Sequence, residues 1–242
     1  MNGFRLSIGV SALAVALLAL TIVVLDQWYT CRRFFCGAPY ARWADGVNLV
    51  QNPSFEDPTD LNPGNGLALP VGDTRLKAWT VVGTTGQDVG LLQNGNNFLI
   101  ATPYQARFLD LTGDNQGPNK KGFFAGMSQT IPTVPREPYQ LTFQIGLMTP
   151  ATIGGPVQAV ANVGDGTGSG QTFATFTCGP YNPTTGGSEW KVCGPYTFVA
   201  QTESTSLIIS GVQVSGQSTG YIGLDLVDLE CLAPRGDHDR CR

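Results

Sequence analysis

Eight short apolar runs separated by turn residues constrain the fold of this 242-residue chain more than any other feature. They read WTVVG, NFLIA, RFLDLTG, YQLTFQIGL, VQAVANV, TFATFTC, SLIISGVQV and YIGLDLVDLECL. Side chains alternate across a strand, so Leu141, Phe143, Ile145 and Leu147 share one face. The 31 Gly and 16 Pro make up about a fifth of the chain, against roughly 12% in average usage, and break it into short segments. With no amphipathic helix pattern among the runs, the expectation is a mainly β fold, a β-sandwich or jelly roll in preference to a barrel, over residues 46–233, with a polar tail at 234–242.

Charge is scarce: 13% of residues, for a net −4, against roughly 25% charged in a typical soluble domain. Counterion release needs a clustered cationic face, which this composition lacks, so nucleic acid is not expected as a partner.

Ahead of the sandwich, residues 6–25 run twenty positions without a charge between Arg5 and Asp26, the length that crosses a bilayer as a helix. The run exceeds the apolar centre of a cleaved signal peptide and ends in Val23, Val24 and Leu25 rather than small residues. The expectation is an uncleaved signal anchor over residues 1–27. The juxtamembrane segment 28–45 interleaves aromatic with basic residues: Trp28, Tyr29, Phe34, Phe35 and Trp43 with Arg32 and Arg33. Such residues belong at a membrane interface, where they set helix depth or dock a partner.

Flanking charges alone would leave the sandwich in the cytoplasm, but the cysteines oppose this. Cys31, Cys36, Cys178, Cys193, Cys231 and Cys241 are even in number and fall in three close pairs, usage suited to an oxidising compartment. No pair has zinc-knuckle spacing, and the single histidine, His238, lies in the tail. The expected location is therefore the inner (cytoplasmic) membrane, with the amino terminus cytoplasmic and the sandwich periplasmic or extracellular. Both Asn-x-Ser/Thr triplets, at Asn52 and Asn182, contain Pro and accept no glycan. That fits a bacterial envelope protein.

A repeated phrase, Cys178-Gly179-Pro180-Tyr181 and Cys193-Gly194-Pro195-Tyr196, predicts two strands that bring Cys178 opposite Cys193 in a disulfide. Sequence leaves the pairing of the other four open.

Several phrases resemble the galactose-binding-like jelly-roll domains, a group that includes carbohydrate-binding modules and DUF642-type domains. Asn48-Leu49-Val50-Gln51-Asn52-Pro53-Ser54-Phe55-Glu56 resembles their opening, and Trp79 stands where they carry a core tryptophan. Phe108-Leu109-Asp110-Leu111-Thr112-Gly113, then Ser128-Gln129-Thr130-Ile131 with Tyr139-Gln140-Leu141-Thr142-Phe143, and the closing Gly223-Leu224-Asp225-Leu226-Val227-Asp228-Leu229 follow in order. The resemblance implies a β-sandwich, often with a structural calcium near its first and last strands. Glu56, Asp57, Asp225 and Asp228 are the oxygen ligands at hand, although Leu226 replaces a second Asp of the closing phrase; the alternative is that these acids cap turns or pair with Arg. No other cofactor is required.

Nothing in the sequence assembles a catalytic site. His238 sits in the tail, and the spacing of Asp110, Asp114, Asp165 and Glu189 singles out no pair for glycoside hydrolysis. Residues 164–170 have the glycines of a phosphate loop but no following Lys-Ser/Thr. A non-enzyme is expected. The first expectation is an accessory subunit docking on integral membrane proteins of a larger complex. The alternative is glycan binding, in which a sugar stacks on an exposed aromatic and polar side chains satisfy its hydroxyls. The residues suited to that are Asn94, Asn97, Tyr104 and Asn115, with Trp190 expected in a loop.

Overall fold

The computed structural model describes residues 47–57, 61, 63–64, 66–94, 102–113, 123–148, 156–182, 188–214 and 221–232. The expected anchor, the juxtamembrane residues Trp28, Tyr29, Arg32, Arg33, Phe34, Phe35 and Trp43, and the tail lie outside them. Among the described residues no helix is long and apolar enough to cross a membrane.

Eleven strands are described: β1 Leu67–Pro70, β2 Thr80–Val82, β3 Asp88–Gln93, β4 Arg107–Asp110, β5 Phe123–Pro132, β6 Pro138–Met148, β7 Val157–Asp165, β8 Thr172–Tyr181, β9 Ser188–Val199, β10 Ser204–Val212 and β11 Tyr221–Cys231. They form two antiparallel sheets, a six-stranded one ordered β1-β3-β4-β11-β6-β9 and a five-stranded one ordered β2-β5-β10-β7-β8. From β5 onward the chain changes sheet at every step except the β7–β8 hairpin. The expected mainly β sandwich is therefore the observed architecture.

The alternation in the sequence explains what each strand buries. Leu141, Phe143, Ile145 and Leu147 of β6 are all fully buried in the core between the sheets. Strand β10 alternates strictly between half-buried and buried, as expected of a strand with one covered face. Strand β11 differs, being buried at six consecutive positions. It lies between β4 and β6, and its outward side chains are covered by chain from outside the sheet.

Part of that cover comes from the opening segment 47–57, whose polar residues act as backbone pins. Asn48 Nδ2 donates to Val227 O at 3.0 Å, and its Oδ1 accepts the Leu229 amide at 3.0 Å. The amide of Leu49 donates to Leu229 O, and that of Val227 to Pro53 O. Gln129 makes the same pair of bonds to Gln51 that a strand would, donating to its carbonyl and accepting its amide. Trp79 is buried against Phe55 at 5.4 Å between ring centres, and its Nε1 donates to Asn52 O at 2.9 Å. The phrases that resemble a family thus serve to close the sandwich.

The repeated Cys-Gly-Pro-Tyr phrase closes its side. Strands β8 and β9 end the two sheets, and Cys178 is bonded to Cys193 as predicted, with Cα atoms 5.6 Å apart. Gly179 and Gly194 both have φ of 97° and both precede cis prolines. A Cβ at Gly179 would meet Val157 O at 2.6 Å and one at Gly194 would meet Leu141 O at 2.7 Å, so each repeat makes the same bulge against its neighbouring strand. Phe176 stacks on Tyr196 at 4.9 Å, and Tyr196 Oη donates to Thr177 O at 3.0 Å. Cys231 is also disulfide-bonded; Cys31, Cys36 and Cys241 lie outside the described residues.

Candidate ligand-binding face

Strand parity decides which residues look outward from the six-stranded sheet. Directly paired residues share a face, and the partners of inward-facing Ile145 and Leu147 are flanked by a cross-strand row on the other side. That row pairs Gly90 with Asp110, Asp110 with Gly223, Gly223 with Gly146, and Gly146 with Trp190. One step along β6, a second row pairs Asp225 with Gln144 and Gln144 with Val192. Leu92 and Phe108 form a small apolar cluster apart from the main core, against which Trp190 and Tyr221 pack. The outer face thus has an apolar floor, bordered by the carboxamide of Gln144 and the acids Asp110 and Asp225.

Trp190 lies in strand β9 rather than in the loop expected for it. The rule that misplaced it was local: turn residues precede it, whereas its partners are set by β6. Its ring meets Phe108 edge-to-face, with centres 5.7 Å apart and planes at 86°. Trp190 is half-buried, and Val192, two residues on along the same face, is 57% exposed.

A strap at 102–106 crosses over Asp225. Asn94 holds it from the end of β3: its Nδ2 donates to Gln105 O at 2.9 Å, and its Oδ1 accepts the Thr102 amide at 2.9 Å. Glu56 Oε1 accepts the amides of Ala106 and Arg107, each at 2.8 Å. The Thr102 hydroxyl stands 2.5 Å from Tyr104 O and 2.8 Å from Asp225 Oδ2, and accepts the Tyr104 amide at 2.8 Å. One hydroxyl proton cannot serve two acceptor oxygens. Ionised Asp225 takes that proton from Thr102; a protonated Asp225 would donate to Thr102 Oγ1 and free the hydroxyl for Tyr104 O. Burial pushes the Asp225 carboxyl up to about 8, with the nearby Glu56 charge adding to the rise and bonds from Thr102 and the Leu226 amide opposing it. Asp110, fully enclosed, is pushed up to about 7 by burial, although its Oδ1 accepts both the amide and the hydroxyl of Thr112.

The four acids considered for calcium do not converge. Asp57 pairs with exposed Lys77 at 2.7 Å, Glu56 is engaged by the strap, and Asp225 is bonded to Thr102 and the Leu226 amide. Asp228 faces Thr142, beyond the bulge at Leu226. Among the described residues no three His, Cys, Asp or Glu are grouped to hold a metal ion. Glu56 and Asp225 instead bond the strap, and Asp57 a lysine. Leu226 itself adopts φ of 52°, and its amide donates to Asp225 Oδ1 at 2.7 Å.

Of the residues suited to a glycan, Trp190 is on the outer face, Tyr104 is half-buried on the strap over Asp225, and Asn94 is spent anchoring that strap. Asn97 and Asn115 lie outside the described residues. Sequence reasoning missed Gly146, Gly223, Gln144 and Phe108. One signal was there: Gly146 and Gly223 occupy outward positions inside long strands, where glycine marks a close approach. In the 164–170 segment, hydrogen bonds from Ser169 and Thr167 lower Asp165 to about 2 and organise the turn.

No family model matches the chain, and no curated protein matches it. Among solved structures it is similar to TmCBM61 in complex with beta-1,4-galactotriose, at 16% identity over 76% of this chain and 99% of that one, with a TM-score of 0.44. It is also similar to the arabinose-bound MgGH51 α-L-arabinofuranosidase, at 13% identity over 82% of this chain and 29% of that one, with a TM-score of 0.49. A third is the CBM22-1 xylan-binding domain of Xyn10C from Paenibacillus barcinonensis, at 14% identity over 78% of this chain and 97% of that one, with a TM-score of 0.40. At such identities and scores the likeness carries no ligand over to this chain.

Proposed function

We propose that this chain is a non-catalytic glycan-binding module, a jelly-roll sandwich of the galactose-binding-like type, that takes neutral pyranosides on the outer face of its six-stranded sheet. The observation that carries the reading is the half-buried indole of Trp190, set on that face beside exposed Val192, with the buried Gln144 in the neighbouring row. An aromatic platform beside a few convergent polar groups is what sugar recognition requires. Neutral ligands are favoured because the acids nearest the platform, Asp110 and Asp225, are buried and raised by that burial, while the buried cation Arg107 donates to Glu56 O at 3.2 Å. A non-catalytic role is supported by the acids Asp110 and Asp225, which are held by Thr112 and Thr102.

The Cys178–Cys193 bond supports an extracytoplasmic location, and the apolar run at 6–25 would tether the module to the membrane. The accessory-subunit expectation draws on residues 6–45, outside the described ones, and no described residue adds to it. The test is binding of the full chain, extracted in mild detergent, to arrayed neutral and acidic oligosaccharides. A neutral saccharide signal lost in Trp190→Ala is expected. Absence of any saccharide signal, together with migration in a larger complex, would overturn the reading in favour of the subunit.

A further inference from the structure

Gly146 and Gly223 are glycines that no left-handed backbone requires. Neither is among the residues with positive φ, and both lie inside long strands, where glycine weakens the sheet. What they share is Trp190. A Cβ built on Gly146 would lie 3.0, 3.0 and 3.1 Å from Cη2, Cζ2 and Cε2 of the indole. Near-equal distances to three successive ring atoms belong to a point over the ring's face, since an approach in the ring plane would bring one atom distinctly closer than its neighbours. A Cβ on Gly223 would lie 2.8 Å from Cη2 and 3.0 Å from Gly146 Cα. The six-membered ring therefore lies face-down across two adjacent strands, closer than any other residue type would allow, with Phe108 walling it on the β4 side.

Resting on the reading of Trp190 as a sugar platform, we propose that Gly146 and Gly223 are positioning residues that seat this indole flat on the sheet, so that it presents a ring face to the C–H face of a neutral pyranose lying parallel to the sheet. With a Cβ at either position the ring must tilt or lift, and the platform is lost even though Trp190 remains. Gly146 is the cleaner probe, because all three nearest atoms belong to the indole, whereas a Cβ at Gly223 also meets backbone.

The experiment uses the full chain in detergent with its four tryptophans replaced by 5-fluorotryptophan, the Trp190 fluorine signal being assigned by Trp190→Phe. Without ligand, Gly146→Ala is expected to shift the Trp190 resonance and increase its response to exchange of water for deuterium oxide, leaving the Trp79 resonance in place. Affinity for the best neutral saccharide found on the array should fall about tenfold, the scale of a lost stacking contact. In the Trp190→Phe background the same glycine change should alter affinity by less than about twofold, since coupling requires the indole. An unmoved Trp190 resonance, or an equal loss in both backgrounds, overturns the proposal. Should Gly146→Ala fail to fold, folding of Trp190→Phe/Gly146→Ala would support it and failure of both would overturn it. A resonance that shifts in a protein binding no saccharide would instead refute the sugar reading and leave the seating of Trp190 intact.

Discussion

Strand β9 takes part in two devices built in opposite ways. At Cys193 it closes the side of the sandwich, where a four-residue phrase and its echo place a cysteine, a left-handed glycine, a cis proline and a tyrosine at matching points of the two edge strands. Pro and a bulge suit edge strands, because they discourage pairing with another chain. At Trp190, three residues earlier, the same strand supplies one member of a row whose other members are Gly146, Gly223, Asp110 and Gly90. The closed edge is written twice in neighbouring sequence; the outer face is written once, in five places, and exists only when the register is correct. One device serves stability and the other recognition, so their variants should separate.

The sharpest separation is expected from Cys178→Ala/Cys193→Ala. A cross-link spanning 15 residues contributes on the order of 3 kcal/mol in the chain-entropy account, so denaturant unfolding should show a loss of that size while saccharide affinity stays unchanged. An affinity that falls with the disulfide would break the comparison by making the edge part of the site.

The acids of the outer face predict the next largest effect. Asp110 and Asp225 are raised from 3.8 to about 7 and about 8, so the folded state binds more protons than the unfolded one between those limits. Their contribution is fully present below about pH 4 and is lost as pH rises through 7 to 8. Thermal midpoints should therefore fall from pH 5 to pH 9. In Asp225→Asn, whose amide can donate to Thr102 Oγ1, the fall should be shallower, whereas removing the disulfide should leave the slope alone.

For Trp190→Ala, affinity should drop about tenfold or more, while unfolding shows a loss of about 1–2 kcal/mol, less than the 3–5 kcal/mol typical of a fully buried aromatic. A stability loss equal to that of the disulfide variant would mark the indole as core. The smallest effect belongs to Lys77→Ala, which removes an ion pair with both partners exposed. Such pairs are worth about 0.2–1 kcal/mol, and neither binding nor the pH slope should respond.

How much of this could be read beforehand depended on how far apart the cooperating residues lie. The alternation in LTFQIGL and the turns between runs predict strands and their buried sides, and the Cys-Gly-Pro-Tyr echo predicts the bridge; each rests on neighbours within a few residues. The acids Glu56, Asp57, Asp225 and Asp228 have the right chemistry for a cation, yet carry no local mark of whether they converge. Glu56 instead meets amides fifty residues away, a contact that no spacing rule contains. The loop expected at Trp190 gives way to a strand for the same reason, since turn residues before it are a local cue and its pairing with Gly146 is not.

By itself the sequence determined the class of fold, the inward side of each long strand and the closure at Cys178–Cys193, because period-two alternation and a short repeat act through adjacent residues. Tertiary structure alone decided that Gly90, Asp110, Gly146, Trp190 and Gly223 share a row, that Asp225 is enclosed, and that an indole lies flat on two glycines. Those outcomes depend on strand order and register, which are set by packing of the whole sandwich and shift every side chain to the other face when displaced by one residue.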